Sequence, residues 1–336
     1  MTKPRLSLGV AVVGLGVGEA HCRAYASLPG CCLEAVCDLD PAKARRAART
    51  FGCRVAQDFR AVLIDPAVQA ISIASYDDAH YGQARAALRS GRHVFVEKPL
   101  CRSSAEARGL LAAWKAGGRP HLASNLVLRA APLYRWLRAA VAAGRLGAVY
   151  AVDGDYLYGR LSKITEGWRK RVRDYSVMQG GGIHLVDLMM WVTGQRPVRV
   201  SSDAGRVASA GTAFRYDDYS AALFSFSSGL VGRVSANFGC MHRHQHRLAV
   251  YGTKATFLYD DAGARLHLSR VPGSRPRALK ASSLPADKGA LIPDFVDGIV
   301  KGRDPEPGLR HELAVACACA AADAAKERGG MRIDYL

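Results

Sequence analysis

Apolar positions follow one rhythm over roughly the first 125 residues and a different one after them. In the first stretch, runs that are apolar at successive positions recur at 8–13, 32–37, 69–75 and 93–96. A strand apolar at every position is buried on both faces, as in a parallel sheet covered by helices. The intervening residues predict helices over 18–28, 42–50, 79–90 and 104–116, then a last strand over 120–124. Alternation of this kind predicts a doubly wound parallel sheet in residues 1–125.

From 126 onward, long segments alternate polar and apolar positions: 147–158, 196–208, 213–227, 230–238, 248–259 and 265–270. Period-two alternation marks strands with one buried face, and turns such as Ser228-Gly229 and Gly252-Thr253 join them. Helices are expected over 132–143 and 183–193, and two closing helices over 290–301 and 311–328 resemble covers on a sheet. The expected fold class is α/β, a parallel doubly wound domain followed by a domain of 126–336 with an open, mostly antiparallel sheet.

Composition narrows the function classes. At 336 residues the chain can build two cores. No apolar run approaches the ~20 residues of a membrane span. The opening Met-Thr-Lys-Pro-Arg-Leu leads into a glycine loop, so no signal peptide is expected. Nine cysteines, an odd number with no C-x-x-C, suit reduced thiols in a cytoplasmic protein. The net charge of +18 admits nucleic acid or an anionic substrate as partner. However, the arginines are spread over every segment, with no basic block interleaved with aromatics, so neither a nucleic-acid nor a membrane partner is expected.

Chemistry collects at the carboxyl ends of the early strands, where open α/β sheets bind ligands. Gly14-Leu-Gly16-Val-Gly18 lies between the first strand and a helix. Gly14 allows a tight turn, and Gly16 lets backbone approach a pyrophosphate at a helix amino terminus. The third glycine of G-x-G-x-x-G would fall at 19, so Gly18 comes one residue early. Asp38 ends the second strand where a carboxylate can bind the ribose hydroxyls, while Asp40 before Pro41 suits a helix cap. Those positions favour NAD, with Arg45 and Arg46 leaving NADP open. Ser75-Tyr-Asp-Asp-Ala-His80 follows the third run, and Glu97-Lys98-Pro99 ends the fourth.

Taken in order, these pieces resemble the glucose-fructose oxidoreductase / inositol dehydrogenase / MocA (Gfo/Idh/MocA) family over nearly the full length. The resemblance also rests on His21, Asn125 and Gly180-Gly181-Gly182-Ile-His184-Leu-Val-Asp187. It implies a Rossmann domain, hydride exchange between NAD(P) and a hydroxyl of a sugar, cyclitol or aminosugar, and a homodimer or homotetramer formed through the C-terminal sheet. It further implies that Lys98 sits beside the nicotinamide and reacting carbon and that His184 takes the hydroxyl proton. Glu97 is implied to face the cofactor ribose and Pro99 to aim Lys98, with Gly14, Gly16, Gly18, Asp38, Ser75, His80 and Asn125 completing the cofactor set. Many members carry Asp four residues before the histidine, where this chain has Gly180, and Asp174 and Tyr175 are candidates to replace it.

Tyr156, Tyr158, Trp168 and Arg169 are expected to meet the substrate together with Lys98, Asp174 and His184, because aromatic faces among charges suit a polyhydroxylated ring. Asn125 and Arg129 are expected to add polar groups. His242, His244 and His246 would share one face of a strand. A surface or interface strand is favoured there over a zinc site, and no metal is expected. Two alternatives stay open, a sugar-nucleotide dehydrogenase of the same family and a non-catalytic NAD-binding protein.

Overall fold

Leu8–Val13 (β1) is buried at all six positions, as its unbroken apolar run predicts. The computed structural model describes residues 7–336, so the signal-peptide expectation, which rests on the first residues, lies outside the described ones. Two compact units are present. One takes in residues up to Val127 with Ala286–Leu313 and Leu336, and the other Leu128–Pro285 with Ala314–Tyr335.

In the first unit β1 is followed by α1 (Gly18–Ala26), β2 (Cys31–Cys37), α2 (Pro41–Phe51), β3 (Arg54–Val55) and α3 (Phe59–Ile64). Then come β4 (Ala70–Ile73), α4 (His80–Arg89), β5 (His93–Val96), α5 (Ser104–Ala116) and β6 (Leu122–Ser124). The short β3 and α3 carry too few apolar residues to have been legible in the pattern. All six strands are parallel, in the order β3-β2-β1-β4-β5-β6. The order reverses between β1 and β4, which makes their carboxyl ends the switch point for a ligand. The helix Ile292–Val300 also covers this sheet: Phe295 packs 5.5 Å from Phe95, ring centre to ring centre.

The second unit adds α6 (Pro132–Ala142), β7 (Val149–Leu157), α7 (Ser162–Thr165) and α8 (Ile183–Thr193). Next are β8 (Pro197–Gly205), β9 (Tyr219–Phe226), β10 (Val231–Asn237), β11 (Gln245–Gly252), β12 (Thr256–Asp260), β13 (Gly263–His267) and β14 (Arg277–Ala278). Its nine-stranded sheet runs β14-β13-β12-β11-β7-β10-β9-β8, closed by Met331–Arg332 on β8. It is antiparallel except where β10 lies parallel to β7. Helix α8 packs closely on this sheet at two strand glycines, where an added side chain would have to push a neighbour aside. A Cβ on Gly154 would come within 3.1 Å of Leu185, and one on Gly232 would overlap Met189.

Two expectations need correction, and one turn was not foreseen. The strand predicted from 213 starts only at Tyr219, because Phe214 is buried from within a loop that Asp218 braces by accepting the Ser209 N–H at 2.6 Å. Strand β11 starts at Gln245, so the three histidines do not share one strand face. Helix α8 is preceded by a π-helical turn over Met178–Gly182, a feature that apolar periodicity does not encode.

Candidate functional site

The turn after β1 is built on glycine for steric reasons. Gly14 has φ +85°, and a Cβ there would lie 2.5 Å from the Ala74 carbonyl carbon and 2.6 Å from the Ser75 nitrogen. Gly18 faces Val12 and Ala74 at 3.1 and 3.3 Å, so it serves the close helix-to-sheet packing one residue early. Nothing lies within 4 Å of a Cβ built on Gly16. Packing does not require glycine there, and the open space beside the α1 amino terminus fits a pyrophosphate.

Asp38 braces this turn. Its Oδ2 accepts the Leu15 N–H at 2.6 Å and its Oδ1 the Asp40 N–H at 2.8 Å. Asp40 caps α2 by accepting from Ala42 at 2.9 Å, with Pro41 at the first helical position. Arg46 pairs with Glu19 at 3.5 Å across an exposed surface. An open glycine turn, a helix terminus and a fixed carboxylate here could hold the phosphates and ribose of a dinucleotide.

Beyond β5, Glu97 turns into the unit. Its Oε1 accepts from Asn125 Nδ2 at 2.6 Å and lies 3.4 Å from His21 Nε2. The fully buried His21 reaches Ser72 Oγ through Nδ1 at 3.0 Å, and Asn125 Nδ2 also donates to the Lys288 carbonyl at 2.7 Å. Burial by itself would raise the Glu97 carboxyl, but the His21 and Asn125 contacts and the Lys98 charge outweigh it and hold the group down to about 2. Lys98 follows directly, half-buried, and its bond to Pro99 is cis. His80 is wholly buried, with Nδ1 2.9 Å from the Pro99 carbonyl oxygen and Nε2 3.1 Å from that of Ser75. Both its ring nitrogens therefore serve the chain itself, tying the end of β4 to the Lys98-Pro99 turn. Ser75 Oγ donates to Gln83 at 2.7 Å. Ser72 and the Lys288 carbonyl were not legible as members of this group, since neither stands in a motif.

In the second unit the aromatic residues gather around His184. Tyr156 stacks near-parallel to it at 6.3 Å, and His246 stands perpendicular at 5.8 Å. Tyr158 stacks on Tyr156 at 5.7 Å, His244 sits edge-on to both tyrosines at 5.2 Å, and Phe238 closes on Tyr158 at 4.6 Å. His246 is thus buried against this set, which corrects the surface half of the surface-or-interface expectation for that residue. His242 lies apart, with Nε2 3.0 Å from Asp261. Among the described residues, no three or more His, Cys, Asp or Glu are grouped to hold a metal ion.

The triple glycine has a local cause in these rings. A Cβ on Gly181 would overlap the Tyr156 ring, and one on Gly180 would run into the Tyr175 hydroxyl. Burial pushes the Tyr156 phenol well above its ordinary range, opposed in part by Arg169 and Arg160. Arg160 lies 5.5 Å over the Tyr158 ring, and Arg169 lies 4.7 Å over that of Trp168. Asp174 is exposed, whereas Tyr175 is buried. Arg129, expected to add a polar group for substrate, instead clasps the buried Asp187, with its Nε 2.9 Å and a terminal nitrogen 2.6 Å from the carboxylate.

Two family models match this chain. One, an oxidoreductase family with an NAD-binding Rossmann fold (GFO_IDH_MocA), covers residues 8–123, and the GFO/IDH/MocA C-terminal domain covers 134–258. The chain belongs to the Gfo/Idh/MocA family. Inositol 2-dehydrogenase 2 of Saccharopolyspora erythraea is 28% identical over 204 residues, which is 60% of this chain and 58% of that protein. Inositol 2-dehydrogenase of Acidothermus cellulolyticus is 26% identical over 323 residues, covering 93% of this chain and 92% of that one. A levoglucosan dehydrogenase solved with NADH superposes with a TM-score of 0.85 over 98% of this Gfo/Idh/MocA chain and 100% of its own, at 21% identity, a likeness of fold. The Rossmann unit and the mixed sheet are those of the family, and no described helix is long and apolar enough to cross a membrane.

Proposed function

We propose that this chain is an NAD-dependent dehydrogenase that oxidises a CH–OH group of a cyclitol or sugar. The observation that carries the reading is the pairing, within one chain, of a glycine turn braced by Asp38 with an aromatic set around His184. When bound, NAD accepts the hydride from the carbinol carbon. Lys98 hydrogen-bonds the reacting oxygen and polarises the carbonyl as it forms, while His184 takes the hydroxyl proton near neutral pH. Asp38 accepts the ribose hydroxyls and disfavours a 2′-phosphate, which is why NAD is preferred over NADP. Tyr156 and Tyr158 present apolar faces to the sugar ring, while Trp168, Arg169 and Asp174 flank them. Inositol is the first substrate to try, given the relatives.

The test is a panel of myo-inositol, levoglucosan, free sugars and sugar nucleotides with NAD and NADP, followed at the NADH absorbance. Turnover of a neutral polyol with NAD supports the reading. NADH binding without turnover of any member would make the chain a non-catalytic nucleotide binder. Arg160 and Arg169 beside the tyrosines favour a second reading, an anionic substrate such as a sugar nucleotide. That reading predicts a preference for the charged members that falls as salt rises.

The outer face of the large sheet pairs with a second copy of the chain in this proposal. Exposed Tyr219, Leu223 and Val231 share that face with Arg233 and Asp155, which pair at 2.7 Å. Apolar positions mixed with both charge signs suit a self-complementary two-fold contact. Sedimentation of Leu223→Arg as a smaller species than the wild type would support it, and an unchanged mass would count against it.

A further inference from the structure

His21 faces the core from α1, a helix whose other buried positions are Gly18, Ala20, Cys22 and Tyr25. Its side chain is wholly buried and stands edge-on to Phe95 at 5.3 Å. An imidazole in such a place costs stability unless its two nitrogens find partners. Both do. Nδ1 lies 3.0 Å from Ser72 Oγ on β4, and Nε2 lies 3.4 Å from Glu97 Oε1 at the end of β5. All of these residues belong to the first unit.

The network fixes where a proton of this ring sits. Asn125 Nδ2 has two hydrogens, and two oxygens take them, Glu97 Oε1 at 2.6 Å and the Lys288 carbonyl at 2.7 Å. Neither is left for His21 Nε2, 3.3 Å away, so Nε2 carries its own proton and turns it toward the carboxylate. The Ser72 hydroxyl can donate to Nδ1 or accept from it, so it serves the ring in either protonation state. The titratable groups that act on Glu97 are His21, from α1, and Lys98, its neighbour in the chain, while Asn125 adds a neutral donor. Because Lys98 is the next residue, any carboxylate charge left uncompensated at 97 acts on its ammonium at close range.

We propose that His21 is a positioning residue: by donating to Glu97 it offsets that carboxylate and so sets the pH range over which Lys98 keeps its proton. This rests on the reading of the chain as a dehydrogenase in which Lys98 meets the reacting oxygen. In that step Lys98 works as an ammonium that hydrogen-bonds the oxygen. An uncompensated Glu97 would hold the lysine proton more tightly and make Lys98 a weaker donor. His21 acts only through Glu97.

The experiment follows kcat/KM for the best polyol of the panel from about pH 6 to 10.5, with NAD saturating. It compares wild type, His21→Phe, His21→Gln and the double variant His21→Phe with Glu97→Gln. His21→Phe keeps an aromatic ring but removes the donor. Its high-pH limb, where Lys98 loses the proton, is expected to move up by about one pH unit, with about a tenfold lower kcat/KM near neutral pH. In the double variant no carboxylate is left to act, so the limb should return to the wild-type position or below it. His21→Gln restores a donor and should lie between wild type and His21→Phe, and it carries the test if the Phe variant does not fold. A limb that stays in place in both single variants overturns the proposal, because lost packing alone lowers Tm and rate without moving it. A limb that moves equally with and without Glu97 overturns it too. The 15N spectrum of histidine-labelled protein reads the contact without turnover. The His21 Nε2 signal should be that of a protonated nitrogen and should shift in Glu97→Gln, and an Nε2 without a proton overturns the proposal. Absence of wild-type turnover on any polyol overturns the dehydrogenase reading and the role toward Lys98 together, while the spectra still decide whether His21 donates to Glu97.

Discussion

A single lysine at the end of a buried strand gains meaning from what fixes it. Lys98 follows Glu97, whose carboxylate is tied to Asn125 and His21, and precedes Pro99, whose carbonyl oxygen faces His80. Lys98→Ala is expected to cut kcat/KM by about 10²- to 10⁴-fold, the usual worth of a positioned proton-handling group. NADH fluorescence should still report binding to that variant, and retained turnover would remove Lys98 from the mechanism. Asp38→Ser removes the carboxylate that meets the ribose in this reading. The ratio of NAD to NADP efficiency should fall, and an unchanged ratio would end the ribose assignment. The sequence named both residues, because a charge at the end of an apolar run is visible in one dimension. It could not name the partners of Glu97, since residues 21, 72, 97, 125 and 288 meet only through folding. His80 shows the same gap: its place in a strand-end loop suggested a ligand, whereas its two ring nitrogens face backbone oxygens.

Element boundaries were legible where period and punctuation agreed. Helix α5 runs over Ser104–Ala116 as expected, with Ser103 accepting the Glu106 N–H at its start. Helix α8 ends at Gly194 in the left-handed conformation that glycine favours. The π turn before α8 escaped because part of its packing is not local. Gly180 leaves room for Tyr175, five residues earlier, but Gly181 leaves room for Tyr156, which comes from β7. Gly181→Ala would drive a methyl into the Tyr156 ring. We expect a lower Tm, on the scale of about 1–3 kcal/mol for overpacking, and weaker substrate binding with NADH affinity intact. Differential scanning calorimetry and NADH titration would separate these effects, and a Tm equal to wild type would show that the ring shifts freely.

Across the whole molecule, two partly buried groups give the acid response a definite sign. His93 is pushed down to about 4 by burial and by its neighbour His121, so it stays neutral in the fold while its unfolded counterpart protonates near 6.5. Stability from this group is full above pH 6.5 and falls as pH drops toward 4. Glu97, held at about 2 against an ordinary 4.5, adds stability above pH 4.5 that is lost as pH falls toward 2. That second loss is of order 3 kcal/mol. Urea midpoints measured from pH 7.5 to 3 should therefore fall in two stages. His93→Asn should flatten only the stage between 6.5 and 4, and a wild-type midpoint constant down to pH 5 would contradict the His93 assignment.

Period and punctuation along the chain already determined the fold class, the parallel and mostly antiparallel sheets, the glycine turn and the charged strand ends. These are local consequences of backbone geometry and of which faces must leave water. Tertiary structure decided what those residues touch. It set Gly18 to pack α1 on the sheet, gave Asp187 to Arg129, brought His246 beside His184 and placed the Tyr175 hydroxyl over Gly180. Each of these depends on a contact between residues far apart in sequence or on the path of a loop, and the pattern of a single chain records neither.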